Sequence, residues 1–140
     1  MSEPNLPDRL RLVVTRLARR LRQQSDAAIS PTQAAALATI ERRGPLTLGE
    51  LAETERVQPP TITAAVDRLE TQGLVARRRD PDDRRVARVE VTRAGRKLLE
   101  QTRARTSAYL ERRIDDLSAR DRATLERAAD ILERVLEERP

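Results

Sequence analysis

Hydrophobic residues recur along most of this chain at steps of three and four, and in one short interval at steps of two. Leu6, Leu10, Val13, Val14, Leu17 and Leu21 form an i, i+4, i+7 stripe in an otherwise arginine-rich segment, which predicts an amphipathic helix from about Pro7 to Ala27. Ser30-Pro31-Thr32-Gln33 then supplies an N-cap, a proline at the first helical position and a capping-box glutamine. The helix it opens runs to about Arg43, offers Ala35, Leu37, Ala38 and Ile40 to a core, and is stopped by Gly44-Pro45. Thr47-Leu48-Gly49-Glu50 is a second capping box; it opens a short helix with Leu48, Leu51 and Ala52 inward, and Glu55-Arg56-Val57-Gln58 makes the turn after it.

The next helix begins near Pro59, where the missing proline N–H is no loss, and ends at Gly73, which supplies a left-handed residue. On a 100° wheel Ile62, Ala65, Val66 and Leu69 share one stripe. Pro60, Ala64, Asp67, Arg68 and Thr71 look the opposite way, with Thr61 and Thr63 on the flanks. After Gly73 the period changes to two: Leu74–Arg79 and Val86–Val91 read as strands around the turn-forming, charged Asp80-Pro81-Asp82-Asp83-Arg84-Arg85. A two-stranded hairpin is marginal alone, so it must lean on the helices while its tip projects. Thr92 caps a further helix, to about Asp116, in which Leu98, Leu99, Thr102, Thr106, Tyr109, Leu110 and Ile114 recur at helical steps. Leu117-Ser118 interrupts it, Ser118-x-x-Asp121 recaps, and Leu125, Ala128, Ala129, Leu132, Val135 and Leu136 form the last stripe.

Helix, turn, helix and hairpin in that order make a winged helix-turn-helix, a reader of double-stranded DNA whose second helix packs with one face and enters the groove with the other. The expected class is therefore mainly α with a small β-hairpin wing. A single domain over 1–140 is expected, with the DNA-binding lobe at 30–92 and helices at 1–29 and 93–140 free to dimerise. Thr61 and Thr63 can bond phosphates or bases and offer methyls to thymine, and Arg68 can reach a phosphate. Arg77, Arg78 and Arg79 form a phosphate-facing or salt-bridged run, and six Arg against three Asp between Gly73 and Arg88 leave that segment positive by three. Arg84 and Arg85 at the tip suit a narrow minor groove.

Composition sharpens this picture. The chain has 140 residues, 38% apolar, 1% aromatic and 36% charged, so its core is built from Leu, Val, Ile and Ala, and two long terminal segments need further cover. The net charge is +5, nearly all from arginine, since Lys97 is the only lysine. A basic balance fits a polyanionic partner, and an arginine bias also follows from a GC-rich genome. The absence of Cys and His excludes disulfides and thiol redox sensing, and removes the commonest zinc ligands and hydrolase acid–base groups, so neither metal nor cofactor is expected. No apolar run spans a membrane and no signal-peptide pattern opens the chain, so a soluble, cytoplasmic protein without membrane contact is expected. The basic first helix could lie on anionic lipid, but it lacks Trp and Phe to anchor there.

The capping-box helix, the Pro-x-Thr-Ile-Thr helix with Val66-Asp67-Arg68-Leu69-Glu70, then Gly73-Leu74-Val75, Asp80-Pro81-Asp82-Asp83-Arg84-Arg85 and Val91-Thr92-x-x-Gly95 together resemble the MarR family of bacterial transcription regulators. The resemblance covers nearly the whole chain. It implies a homodimer with the second helix in the major groove and a wing arginine in the minor groove; by position that arginine is Arg85, buttressed by Asp83. Where many relatives carry Arg this chain has Ala64, so a bidentate guanine contact is missing and thymine methyls and groove shape carry more of the specificity. The expected DNA-binding set comprises Thr47, Gln58, Pro60, Thr61, Thr63, Ala64 and Arg68 of the helices, with Arg77, Asp83, Arg84 and Arg85 of the wing. Leu10, Val13, Leu17, Leu125, Leu132 and Leu136 are the expected dimerisation residues.

The resemblance further implies repression, relieved by a small, often phenolic ligand where the dimerisation helices meet the DNA-binding lobe. No ligand residue is assigned from sequence; Tyr109 suits a core or interface as readily as such a site. The lack of Cys and His sets the chain apart from the family's peroxide and zinc sensors. One rival keeps the fold but makes it a protein-interaction module without sequence-specific DNA binding. Another, an acid–base enzyme using Asp82 and Asp83 or Asp115 and Asp116, fails because each pair is adjacent in sequence and lacks a basic partner.

Overall fold

A computed structural model of the chain describes residues 2–25 and 28–137. Its elements are α1 (Leu6–Gln24), α2 (Pro31–Arg43), α3 (Leu48–Glu55), α4 (Pro59–Thr71), β1 (Val75–Arg79), β2 (Ala87–Val91), α5 (Arg93–Asp115) and α6 (Ala119–Leu136). The fold is mainly α with one antiparallel hairpin, Val75 opposite Val91 and Arg79 opposite Ala87. The chain divides into two compact units, Met1–Thr106 and Ser107–Pro140, with α5 running through the division. Among the described residues, no helix is long and apolar enough to cross a membrane.

The helix boundaries follow from local chemistry. Asn5 caps α1, which closes at Ser25 rather than continuing, and the expected end at Ala27 lies outside the described residues. At α2 both arms of the capping box form, Ser30 Oγ accepting the Gln33 N–H at 3.2 Å and the Gln33 side chain accepting the Ser30 N–H at 2.7 Å. Thr47 accepts the Glu50 N–H at 3.1 Å, but the Glu50 carboxylate faces Arg88 of β2 instead of closing the box. The turn into α4 passes through Arg56 in the left-handed region, φ 55°. Gly73, φ 75°, ends α4, where the Leu74 N–H reaches back to the Leu69 carbonyl at 2.9 Å.

The core of the first unit joins Leu37 and Ile40 of α2, Leu51 of α3, Ile62, Val66 and Leu69 of α4, Val75 and Val89 of the hairpin, and Leu99 of α5. Each fully buried Leu, Ile or Val contributes about 1.5–3 kcal/mol. One expectation for α2 is corrected. Ala35 is exposed and Ala38 only half-buried, while Ala36 and Thr39 are buried. The inward stripe is turned toward α3, where the Thr39 hydroxyl donates to Glu55. The strands are each one residue shorter than the alternation suggests, because Leu74 and Val86 serve the turns that flank them. Leu46 adds a single bridge to Val89, with N–H to carbonyl distances of 3.0 and 2.7 Å.

The Thr-x-x-Gly that opens α5 has a steric and a hydrogen-bonding reason. Thr92 Oγ1 accepts the Gly95 N–H at 3.1 Å and donates to the Gly73 carbonyl at 2.6 Å, joining the ends of α4 and α5. A Cβ at residue 95 would run into the Leu74 carbonyl and a Val91 methyl. In the second unit, Ser118 accepts the Asp121 N–H at 3.1 Å and caps α6, as the sequence suggests.

Candidate nucleic-acid interface

Helix α4 buries Ile62, Ala65, Val66 and Leu69 and leaves Pro60, Thr61, Thr63, Ala64, Asp67, Arg68 and Thr71 exposed. The split is the one its periodicity predicts. Gln58 is the N-cap residue, yet its side chain makes no capping bond and stays available at the helix start. The Thr63 hydroxyl donates to the Pro59 carbonyl at 2.9 Å, so its oxygen lone pairs and methyl face outward. Thr61, Ala64 and Arg68 line one wall of a groove of about 220 Å³ whose other wall is the start of α2, with Ser30, Thr32 and Gln33. Thr47 sits apart, half-buried at the start of α3.

The wing tip is held by its own aspartates. Asp80 Oδ1 accepts the N–H groups of Asp82 and Asp83 at 2.8 and 3.3 Å. The Asp82 N–H, the Asp83 N–H and the Arg88 guanidinium hold the Asp80 carboxyl below its usual 3.8, against an opposing desolvation. Asp83 takes the Arg85 backbone N–H and Nε on one oxygen, both at 3.1 Å, and Nη2 on the other at 3.3 Å. The Arg85 side chain first, then its backbone N–H, lowers the Asp83 carboxyl as well. The Arg85 side chain remains 91% exposed, so Asp83 aims the guanidinium without hiding it. Arg79 donates to the Arg84 carbonyl at 2.9 Å and stiffens the loop.

Of the six wing arginines, Arg77 and Arg88 are drawn inward, while Arg78 is paired but stays 74% exposed. Arg77 of β1 pairs with Asp67 and, at 3.1 Å, with Glu70, both on α4. Arg78 pairs with Glu90 at 2.6 Å across the hairpin. Arg88 of β2 pairs with Glu50 of α3 at 3.3 Å and with Asp80 at 3.4 Å. Of the two roles open to Arg77 in the sequence, the structure supplies the salt bridge. Glu50, Asp67, Glu70 and Arg88 fall outside the site set expected from sequence, because their pairings span gaps no local pattern reports. Among the described residues, no side-chain hydrogen bond or ion pair engages the Arg84 side chain; nearest the tip it is exposed together with Arg79 and with Arg85, the last paired with Asp83.

The sequence pattern of the MarR family matches residues 29–87. Over 140 residues the chain is 35% identical to an HTH-type transcriptional regulator of Mycobacterium leprae, covering 99% of this chain and 98% of that protein. The chain belongs to the MarR family. Its fold is similar to that of a MarR family protein from Bacillus stearothermophilus, with a TM-score of 0.82, 29% identity, and 95% and 94% of the two chains covered. A mutant MepR of S. aureus bound to an oligodeoxyribonucleotide is similar at a TM-score of 0.71 over 96% of this chain and 100% of that one, and at 19% identity shares the fold. This MarR-family chain is accordingly a DNA-binding transcription regulator and not an enzyme.

A second feature of this MarR-family lobe is a cavity of about 380 Å³ between the end of α1, the start of α2 and the first turns of α5. Ile29, Pro31, Ala34, Leu98 and Leu99 give it apolar walls, and Arg22, Gln23, Ser25 and Thr102 polar ones. Tyr109 does not line it; it stands in the second unit with the Arg113 guanidinium 5.2 Å from its ring centroid.

Proposed function

We propose that the protein is a cytoplasmic homodimeric repressor that binds a pseudo-palindromic operator and is released by a small ligand. The observation that carries this reading is the pairing, on one compact unit, of an exposed α4 face with a wing tip that presents the exposed guanidinium groups of Arg84 and Arg85. The helix reads the major groove through Gln58, Pro60, Thr61, Thr63 and Ala64, with Arg68 and Thr47 on flanking phosphates. No long donor stands at Ala64, so thymine methyls and groove shape dominate. Arg85, aimed by Asp83, enters the adjacent minor groove, with Arg84 beside it.

Dimerisation is supported by apolar side chains left exposed on both terminal helices: Leu10, Val13 and Leu17 on α1, and Leu125, Leu132 and Leu136 on α6. A two-fold dimer sets its recognition helices about 34–36 Å apart, one turn of DNA. The 380 Å³ cavity suits a small amphipathic effector, whose anionic or hydroxyl group would face Arg22. Its occupant would bias the dimer toward a helix spacing that no longer fits both half-sites.

Selection of tight-binding duplexes from a random pool about 30 base pairs long, roughly three helical turns, tests the reading. An inverted repeat with half-sites about 10 base pairs apart, flanked by A·T-rich steps at the wing positions, is expected. Recovery of duplexes with no shared sequence would remove specific DNA recognition and leave a protein-interaction module.

A further inference from the structure

Two arginines of the hairpin base have a geometry unlike that of a phosphate contact. Arg77 leaves β1 and spreads its guanidinium over two carboxylates of α4, Asp67 and Glu70, which stand three residues apart and so lie on one side of the helix. Arg88 leaves β2 and bridges Glu50 of α3 to Asp80 at the mouth of the wing loop. Arg77 is paired across the ribbon with Val89, and Arg88 is the next residue. Successive strand residues leave on opposite faces, so the two arginines grip the ribbon from both sides.

Each cluster holds one cation and two anions, so neither offers a net positive charge to DNA. Both join the hairpin to a helix of the helix-turn-helix. Only Val75 and Val89 of the hairpin strands are fully buried, and a two-stranded ribbon has little stiffness of its own. The direction in which the tip projects, and hence the reach from α4 to Arg85, depends on what is fastened at the base.

We propose that Arg77 and Arg88 are positioning residues that lock the wing to α4 and α3, and that they act on operator recognition through this clamp rather than through contact with phosphate. The proposal rests on the DNA-binding reading above. A lost phosphate contact weakens all duplexes alike and lowers the slope of log affinity against log salt by about one. A lost clamp leaves the slope in place and reduces the preference for operator over scrambled duplex.

The test uses the full-length protein, fluorescence anisotropy, a duplex selected by the wild type, and a scrambled duplex, across a salt series. Variants are Arg77→Gln, the double Asp67→Asn/Glu70→Gln, the triple combination, and Arg88→Gln. The expected result is a preference lowered about tenfold by Arg77→Gln and similarly by the acid pair, a triple no weaker than either, and an unchanged salt slope. Arg88→Gln lowers the preference independently, and Arg77→Lys, which keeps one ion pair, restores part of it. If Arg77→Gln does not fold, Arg77→Lys and Arg88→Gln carry the comparison. A slope reduced by about one with the preference intact, or losses that add in the triple, would overturn the clamp. Absence of operator preference in the wild type would instead remove the DNA-binding reading itself.

Discussion

Helices α4 and α6 carry apolar stripes of similar spacing and meet opposite fates. Ile62, Ala65, Val66 and Leu69 of α4 are all buried inside their own lobe. No residue of α6 is buried, and Leu125, Ile131, Leu132, Val135 and Leu136 stand exposed, Leu136 at 80%. An apolar stripe therefore announces that a partner is needed without saying which chain provides it. Burial separates the two cases: α4 packs its stripe inside its own lobe, and α6 keeps an apolar face exposed.

Substitutions in the two helices should separate them further. Leu69→Ala empties a fully buried site and is expected to cost about 2–5 kcal/mol, seen as a fall in thermal midpoint that does not change with protein concentration. Leu132→Glu leaves the lobe folded and places a charge in the proposed interface. It should weaken self-association by roughly a hundredfold or more, about 2–3 kcal/mol, in sedimentation velocity. Were Leu132→Glu to lower the midpoint as much as Leu69→Ala, with no change in association state, α6 would be a core element after all.

Smaller effects belong to the wing. Arg85→Ala removes a guanidinium that is 91% exposed, so stability should hold while operator affinity drops about tenfold, about 1.4 kcal/mol, at fixed salt. Unchanged affinity would take the tip out of the mechanism. The smallest effect is with pH. Asp80 and Asp83 titrate below the usual 3.8 in the folded chain, so their contribution to the loop is complete above the unfolded value and is lost as pH falls through the folded one. Exchange of the Asp82, Asp83 and Arg85 amides, corrected for intrinsic rate, should be constant over about pH 5–8 and speed up below the unfolded value. Acceleration near neutrality would contradict the assigned hydrogen bonds.

The same division between local and distant explains what is legible in the chain. Caps at Ser30, Thr47, Thr92 and Ser118, the α4 stripe and the Gly73 terminus depend on residues within a turn or so of one another and can be read directly. The Asp83–Arg85 pair, two residues apart, is implied by the family resemblance and forms in the structure. The Arg77–Asp67 and Arg88–Glu50 pairs close over 10 and 38 residues, and no periodicity carries them. Counting charges from Gly73 to Arg88 thus gives a net positive segment but not which arginines are paired, and Arg77 and Arg88 face acids of the helices. The α2 stripe is ambiguous at Ala35 because an alanine-rich helix offers several candidate faces, and contact with α3 selects among them.

Recognition of a specific duplex is the property on which the roles of α4, the wing and the clamp all depend. Fluorescence anisotropy with the duplex upstream of the chain's own coding sequence, against a scrambled duplex across a salt series, measures it without intermediaries. A preference of about 10³ or more together with a steep salt dependence is expected. Equal, weak binding to both duplexes would contradict it, reducing the exposed α4 face and the Arg84–Arg85 tip to a basic surface without a sequence to read.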